Sequence, residues 1–228
     1  MTEKQLVTHL TELISSALQA NSNSENAIKM AAYMKHFPFY GVKSPARTDL
    51  LKPIWALHKE DIKSHYRPLI SALWKKQQRE YQMISMLLLG KCQKGLTKQD
   101  LPWVKELITT KSWWDTVDYL ASNTVGYILR SDKTLARSTA NQFYETGELW
   151  LQRTALLFQL KYRGQVDTEL LYSLIDQSLD SEEFFIRKAC GWALRQYSKY
   201  NPLSVSNYME ANKSNMSKLT WREGSKYL

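Results

Sequence analysis

Two stretches, LWLQRTALLFQLKY (residues 149–162) and FFIRKACGWALRQYSKY (residues 184–200), decide the fold of this sequence because they align when shifted by 35 residues. In this alignment Trp150 meets Phe185, and Arg153 meets Lys188. Apolar residues recur in both stretches at the spacing of an amphipathic helix. A helix that returns at a fixed step is typical of a helical solenoid, in which each pair of helices contacts only its neighbours.

The same step taken backward from Arg153 arrives at Asp118, within KSWWDTVDYL (residues 111–120). Trp114 lies four residues before Asp118, which is one helical turn. Trp192 lies one turn beyond the aligned lysine. The pattern therefore predicts that a carboxylate, a guanidinium and two indoles face one groove. An ion pair between Asp118 and Arg153 that only joins two repeats is the alternative interpretation.

Helical periodicity extends over nearly the whole chain, as in LVTHLTELISSALQ (residues 6–19) and WVKELITT (residues 103–110). No segment alternates apolar and polar residues as a strand would. The 8 glycines and 6 prolines fall mostly between the periodic segments and mark helix ends. No linker rich in serine, glycine or proline divides the chain. The sequence predicts an all-α fold and one domain over residues 1–228.

The charge balance favours a polyanionic partner. The sequence has 31 Lys and Arg against 22 Asp and Glu, a net charge of +9. The basic residues are spread along the chain, which is expected of a protein that follows a nucleic acid backbone. A basic surface that serves solubility alone is the other interpretation.

Several classes of protein are not supported by the sequence. The two cysteines form no CxxC pair, the four histidines form no HExxH pair, and no glycine-rich nucleotide loop occurs. We therefore expect no metal and no cofactor. The longest apolar stretch, MISMLLLG (residues 83–90), is too short to cross a bilayer, and the opening residues are unlike a signal peptide. A cytoplasmic protein without membrane contact is expected.

Three segments together carry a resemblance to a known family. They are KSWWDTVDYLASNTVG (residues 111–126) and the two aligned stretches, and the similarity extends back through AAYMKHFPFYGVKSPART (residues 31–48). This combination resembles the bacterial DNA alkylation repair glycosylases of the HEAT-like-repeat family, the AlkD type. The resemblance implies a HEAT-like helical-repeat solenoid that binds duplex DNA in a basic concave groove. It also implies excision of cationic N3- or N7-alkylated purines.

The resemblance implies a role for five residues of this sequence. The family's catalytic carboxylate corresponds to Asp118, and its two flanking indoles correspond to Trp114 and Trp192. The arginine that anchors the DNA backbone near the lesion corresponds to Arg153. The aromatic residue of the N-terminal motif corresponds to Tyr33. A one-residue shortening beside Tyr33, at KHFPF, distinguishes this sequence from the family pattern.

Further basic residues near the aligned helices are candidates for contact with phosphate. They are Arg187, Lys188 and Arg195, although basic residues often occupy a solvated helix face without binding anything. Lys188 is also the nearest candidate for a Schiff-base nucleophile, which would make the enzyme a strand-cleaving lyase. Nothing around it indicates the lowered pKa that this role needs, so a monofunctional glycosylase is the better hypothesis.

The sequence as a whole thus predicts a DNA repair glycosylase that acts as a monomer in the cytoplasm, associated with the nucleoid through DNA. Its partner is duplex DNA containing alkylated purines. The rival hypothesis is a noncatalytic HEAT-like scaffold that binds DNA or protein through its concave face, since a fold alone never proves catalysis.

Overall fold

The computed structural model describes every residue of the printed sequence, Met1–Leu228, and all its regular elements are helices. The predicted all-α fold class is confirmed. Two compact units can be distinguished, residues 1–95 and residues 96–228. One domain over the whole chain stays a prediction. None of the helices combines the length and the apolar character that crossing a membrane requires.

The first unit consists of four helices. They are α1 (Glu3–Ala20), α2 (Ser24–Met34), α3 (Ser44–Trp74) and α4 (Arg79–Cys92). Helix α1 begins with a capping box, because Thr2 accepts from the main chain of Gln5 while the Gln5 side chain accepts from Thr2. Helix α3 is interrupted at His58 and His65, where φ is −119° and −126°. Pro68 follows His65 closely, and a proline inside a helix disturbs the preceding turn.

A buried carboxylate organises the segment between α2 and α3. Glu80 is fully buried, and its two oxygens accept from the main-chain nitrogens of Tyr40, Gly41 and Val42 at 2.9–3.1 Å. Main-chain donors are a common way to hold a buried negative charge. This network fixes the connection that follows α2, the helix on which Tyr33 lies.

The second unit contains the remaining helices. They are α5 (Leu101–Thr109), α6 (Trp114–Tyr119), α7 (Gly126–Leu129), α8 (Lys133–Glu145), α9 (Leu149–Leu157), α10 (Thr168–Asp176), α11 (Phe184–Ser198), α12 (Pro202–Ala211) and α13 (Lys218–Gly224). A π-helical segment, Leu120–Val125, joins α6 to α7. Helix α9 packs against α6, α8 and α11, and α11 in turn packs against α12 and α13. Successive helices therefore contact their neighbours, as expected of a helical repeat.

The predicted 35-residue register between α9 and α11 is confirmed by an aromatic contact. The ring centroids of Trp150 and Phe185 lie 5.0 Å apart. Trp113 completes the cluster at 5.7 Å from Trp150 and 5.2 Å from Phe185. Such edge and tilted ring contacts add to the burial of apolar surface. The cluster holds the start of α6 against α9 and α11.

Candidate active site

An ion pair between Asp118 on α6 and Arg153 on α9 forms the centre of the candidate site. The Nε atom of Arg153 donates to Oδ1 of Asp118 at 2.7 Å, and Nη2 donates to Oδ2 at 2.8 Å. The Nη1 atom donates to the main-chain oxygen of Phe185 on α11. The planar guanidinium suits this parallel pairing, which fixes both the distance and the orientation of the carboxylate. One arginine thus connects three helices of the second unit.

The two partners of this pair differ in exposure. The Arg153 side chain is 1% exposed and the Asp118 side chain is 18% exposed. The carboxylate is therefore the part of the pair that reaches solvent, while the guanidinium supports it from the interior. Each carboxylate oxygen keeps a further lone pair for a ligand or a water molecule. The structure contains the ion pair of the alternative interpretation, yet that pair leaves Asp118 accessible for chemistry.

The burial of Arg153 bears on its predicted contact with DNA. A phosphate oxygen cannot reach a guanidinium that is 1% exposed and occupied by Asp118 and a carbonyl. Contact with the DNA backbone would require the ion pair to open or rearrange when DNA binds. The contact stays a prediction, whereas the positioning of Asp118 by Arg153 is observed directly.

The electrostatic surroundings of Asp118 combine opposing effects. Burial raises the pKa of the Asp118 carboxyl above its ordinary value, and Asp115 acts in the same direction. The hydrogen bonds and the charge of Arg153, together with the charge of Lys188, lower that pKa. Desolvation is the largest of these effects, so the net direction is upward. The effect of burial on this carboxyl therefore outweighs that of the neighbouring positive charges.

Trp192 on α11 lies beside the ion pair and amid basic groups. Its ring centroid is 5.6 Å from Cζ of Arg153, 5.3 Å from Nζ of Lys188 and 5.5 Å from Cζ of Arg195. An indole ring attracts cations through its negative faces. The structure therefore brings Asp118, Arg153 and Trp192 together, as the repeat register predicts.

The adjacent tryptophans of KSWWDTVDYL have separate environments. Trp113 belongs to the aromatic cluster with Trp150 and Phe185, where it packs. Trp114 is half-buried and begins α6, one turn before Asp118. Residues four apart share a helix face, so Trp114 is placed beside the carboxylate. Sequence reasoning missed the packing role of Trp113, although the aligned aromatic residues of α9 and α11 were a signal for it.

The helix that carries Asp118 continues, two residues later, as the wider π-helical segment Leu120–Val125. In the π-helical segment, Ser122 donates its hydroxyl to the main-chain oxygen of Asp118 at 2.8 Å. The Tyr162 hydroxyl donates to the main-chain oxygen of Gly126 at 2.8 Å, where the segment ends. Side chains thus satisfy carbonyl groups around the irregular turn. Single π-helical turns inside α-helices are frequent at functional sites, and this one was not predicted from the sequence.

The remaining predicted residues have varied surroundings. Arg187 donates from Nε to the main-chain oxygen of Ser181 at 2.6 Å, and Arg195 donates from Nη1 to Glu223 at 3.1 Å. Lys188 lies over the rings of Phe184 and Trp192. Tyr33 lies on α2 of the first unit and is 72% exposed. Contact of these residues with DNA stays a prediction.

Glu223 on α13 is a prominent residue of the site that sequence reasoning missed. Its Oε2 atom accepts from Nε1 of Trp192 at 3.2 Å. The repeat could have indicated this residue, because Glu223 lies one further 35-residue step beyond Lys188.

Comparison with known proteins places this geometry in context. The sequence profile of the DNA alkylation repair enzyme family matches residues 14–228. The chain belongs to this family. A solved structure described as a predicted DNA alkylation repair enzyme from Enterococcus faecalis is 35% identical, with a TM-score of 0.80. The match covers 91% of this chain and 96% of that chain. No curated protein matches the sequence.

Membership of the DNA alkylation repair enzyme family supports a role in DNA repair with DNA as the substrate. The resemblance seen in the sequence is thereby confirmed. The helical-repeat arrangement of this chain agrees with the HEAT-like fold of its family.

Proposed function

We propose that this protein is a monofunctional glycosylase. It hydrolyses the N-glycosidic bond of cationic N3- or N7-alkylated purines in duplex DNA and leaves an abasic site. The observation that carries the proposal is the partly exposed Asp118 carboxylate, oriented by the buried Arg153 and adjoined by the Trp192 indole.

The chemistry of a cationic lesion needs little from the protein. A purine alkylated at N3 or N7 already carries a positive charge, so cleavage of its glycosidic bond releases a neutral base without a proton donor. Positive charge instead develops on the deoxyribose, in an oxocarbenium-like transition state. An aligned carboxylate can stabilise that charge and position the attacking water. Preorganised electrostatic stabilisation of this kind is worth about 3–4 kcal/mol where single groups have been removed.

Arg153 supplies the preorganisation. Its two parallel hydrogen bonds prevent the Asp118 carboxylate from rotating, so little reorganisation is needed when the charge develops. The indole faces of Trp114 and Trp192 would meet the cationic sugar, each contributing on the order of 1 kcal/mol. Lys188 is not required in this mechanism, because water rather than an amine attacks the sugar.

The enzyme would select a lesion by how readily the N-glycosidic bond of that lesion breaks. We expect the groove of a helical solenoid to be too shallow to enclose a flipped base as the deep pockets of other glycosylases do. Excision of cationic lesions and little excision of neutral ones is the expected specificity. Lys and Arg contacts with phosphate would supply duplex affinity in a basic concave groove, so log affinity should fall linearly with log salt. We expect a monomer, in the cytoplasm and associated with the nucleoid.

The test compares base release by the intact protein and by Asp118→Asn. The substrate is duplex DNA with a single N7-methylguanine, at protein concentrations that saturate the DNA. We expect release to fall by about 100-fold or more in the variant. Duplex binding should be retained or strengthened, because a negative charge that repels phosphate is removed.

Asp167→Asn is the matched control. Arg137 pairs with Asp167 through Nε at 2.6 Å and Nη2 at 2.8 Å, so the control breaks a second parallel ion pair away from the candidate site. Equal release by Asp118→Asn and the intact protein would refute the catalytic assignment. Salt-sensitive binding with no release by the intact protein would favour the DNA-binding scaffold.

A further inference from the structure

Charged residues occupy four equivalent positions of the second unit. Steps of 35 residues connect Asp118, Arg153, Lys188 and Glu223, on α6, α9, α11 and α13. The first three belong to the predicted site, whereas Glu223 has no role in the mechanism described above. Glu223 is a buried carboxylate, with only 6% of the residue exposed. A buried carboxylate is costly without partners, so its contacts indicate what it does.

Three donors converge on one oxygen of Glu223. Its Oε2 atom accepts from Nε1 of Trp192 at 3.2 Å, from Nη1 of Arg195 at 3.1 Å and from Nζ of Lys226 at 2.9 Å. The hydrogen bond from Lys226 lowers the pKa of Glu223, and the charge of Arg195 acts in the same direction. Glu223 is therefore ionised at neutral pH. The Trp192 indole donates to a negatively charged acceptor, and at 3.2 Å its hydrogen bond is the longest of the three.

The main chain fixes the position of this carboxylate relative to Trp192. A Cβ atom on Gly191 would lie 2.5 Å from Cβ of Glu223, so glycine is needed where α11 and α13 approach each other. The Thr220 hydroxyl also donates to the main-chain oxygen of Arg187 at 3.0 Å, which ties the two helices. Glu223 is thus held by backbone packing and does not depend on the indole for its place.

The hydrogen bond restrains the plane of the Trp192 ring. An indole has one donor, at Nε1. With that donor directed at Glu223, the ring faces are turned toward cations, and three cationic side chains of the protein already lie within 5.6 Å of the ring centroid. A negative charge at the N–H edge also makes the ring faces more negative, which strengthens their attraction for a cation.

We propose that Glu223 is a positioning residue that fixes and polarises the Trp192 indole for stabilisation of the cationic sugar. The proposal rests on the proposed glycosylase function and deepens it. Glu223 does not touch the substrate and acts only through Trp192.

The first test reads the indole directly and requires no activity. The Trp192 Nε1–H signal is identified in a ¹H–¹⁵N spectrum by its absence in Trp192→Phe. We expect Glu223→Gln to move this signal to lower proton frequency, because the charged acceptor becomes neutral. Glu210→Gln, which removes an exposed carboxylate paired with Lys213, should leave it in place. An unchanged Trp192 signal in Glu223→Gln and in Glu223→Ala would overturn the proposal.

The second test uses base release from the N7-methylguanine duplex. In Glu223→Gln we expect kcat to fall about tenfold, as for the loss of a hydrogen bond to a charged group. Affinity for undamaged duplex should be retained or strengthened, because a negative charge paired with Arg195 is removed. In a Trp192→Phe background the same substitution should have little further effect, since the indole donor is absent. Full additivity of the two substitutions would show that Glu223 acts independently of Trp192 and would refute the proposal.

The spectrum and the base-release assay together distinguish failure of the Glu223 proposal from failure of the proposed glycosylase function. If the intact protein releases no base, the glycosylase proposal fails, while the indole signal still decides whether Glu223 positions Trp192. A lowered melting temperature with an unchanged signal and unchanged kcat would assign Glu223 a purely structural role. If Glu223→Ala does not fold, the Trp192 signal and kcat of the isosteric Glu223→Gln decide whether Glu223 positions the indole.

Discussion

Replacement of Arg153 by lysine tests how much of the proposed catalysis depends on the orientation of Asp118. The guanidinium makes two hydrogen bonds to the carboxylate, at 2.7 Å and 2.8 Å, and a third to the main-chain oxygen of Phe185. Lysine keeps the positive charge but is a point donor without the planar fork. Arg153→Lys therefore retains the attraction between the charges and removes the parallel geometry.

The expected magnitudes follow from these contacts. A lysine can replace one of the bonds to Asp118, so one bond to a charged acceptor and the bond to the carbonyl are lost. At about 1.5–3 kcal/mol for a charged hydrogen bond and about 1 kcal/mol for an ordinary one, the free energy of unfolding should fall by about 3 kcal/mol. For a chain of this size that corresponds to roughly 6–12 °C in melting temperature. Misplacement of the carboxylate by about 1 Å should lower base release about 100-fold.

The assay measures single-turnover base release from the N7-methylguanine duplex at DNA saturation, over a range of pH. Because the hydrogen bonds of Arg153 lower the pKa of Asp118, the substitution should raise that pKa and move the acid limb of the rate to higher pH. Circular dichroism at each pH confirms that the protein is folded. Arg137→Lys is the control, since it disrupts the parallel pair with Asp167 outside the site.

A folded Arg153→Lys protein that releases base at the rate of the intact protein would refute the role of Arg153 in orienting Asp118. A uniform loss of duplex affinity in Arg153→Gln, which removes the charge, with the salt slope reduced by about one would instead show that Arg153 contacts phosphate in the complex. That result would support the contact predicted from the family resemblance.

Two further predictions concern ionisation. Burial raises the pKa of Asp118, so base release should decline as the pH falls through a value above 3.8, the ordinary value for an aspartic acid. As the pH is lowered, this loss of activity should occur before the protein unfolds, with unfolding measured by circular dichroism. The reason is that protonation of a group whose pKa is raised on folding favours the folded state. Loss of activity and unfolding at the same pH would contradict this prediction. Burial also raises the pKa of Cys92 to about 11 and of Cys190 to about 12. The folded protein should take up no iodoacetamide at about pH 8, while the urea-unfolded protein takes up two by mass spectrometry; rapid alkylation of the folded protein would disprove the burial argument.

The helices and their register are properties that the sequence itself determined. Apolar periodicity specifies helices because each helix must bury one face. The 35-residue step then relates residues of successive repeats, and it correctly paired Asp118 with Arg153 and Trp150 with Phe185. Repeats contact only their neighbours, so sequence distance translates into spatial position more simply than in other folds.

Three features of the site were decided only by tertiary packing. The sequence does not specify that Arg153 is buried while Asp118 reaches solvent, since this depends on which side chains cover each group. The widening of the helix at Leu120–Val125 also has no periodic signature. The bond between Trp192 and Glu223 requires the close approach of two helices at Gly191. Periodicity sets which residues share a face, whereas the depth and orientation of each side chain depend on the packing of neighbouring helices.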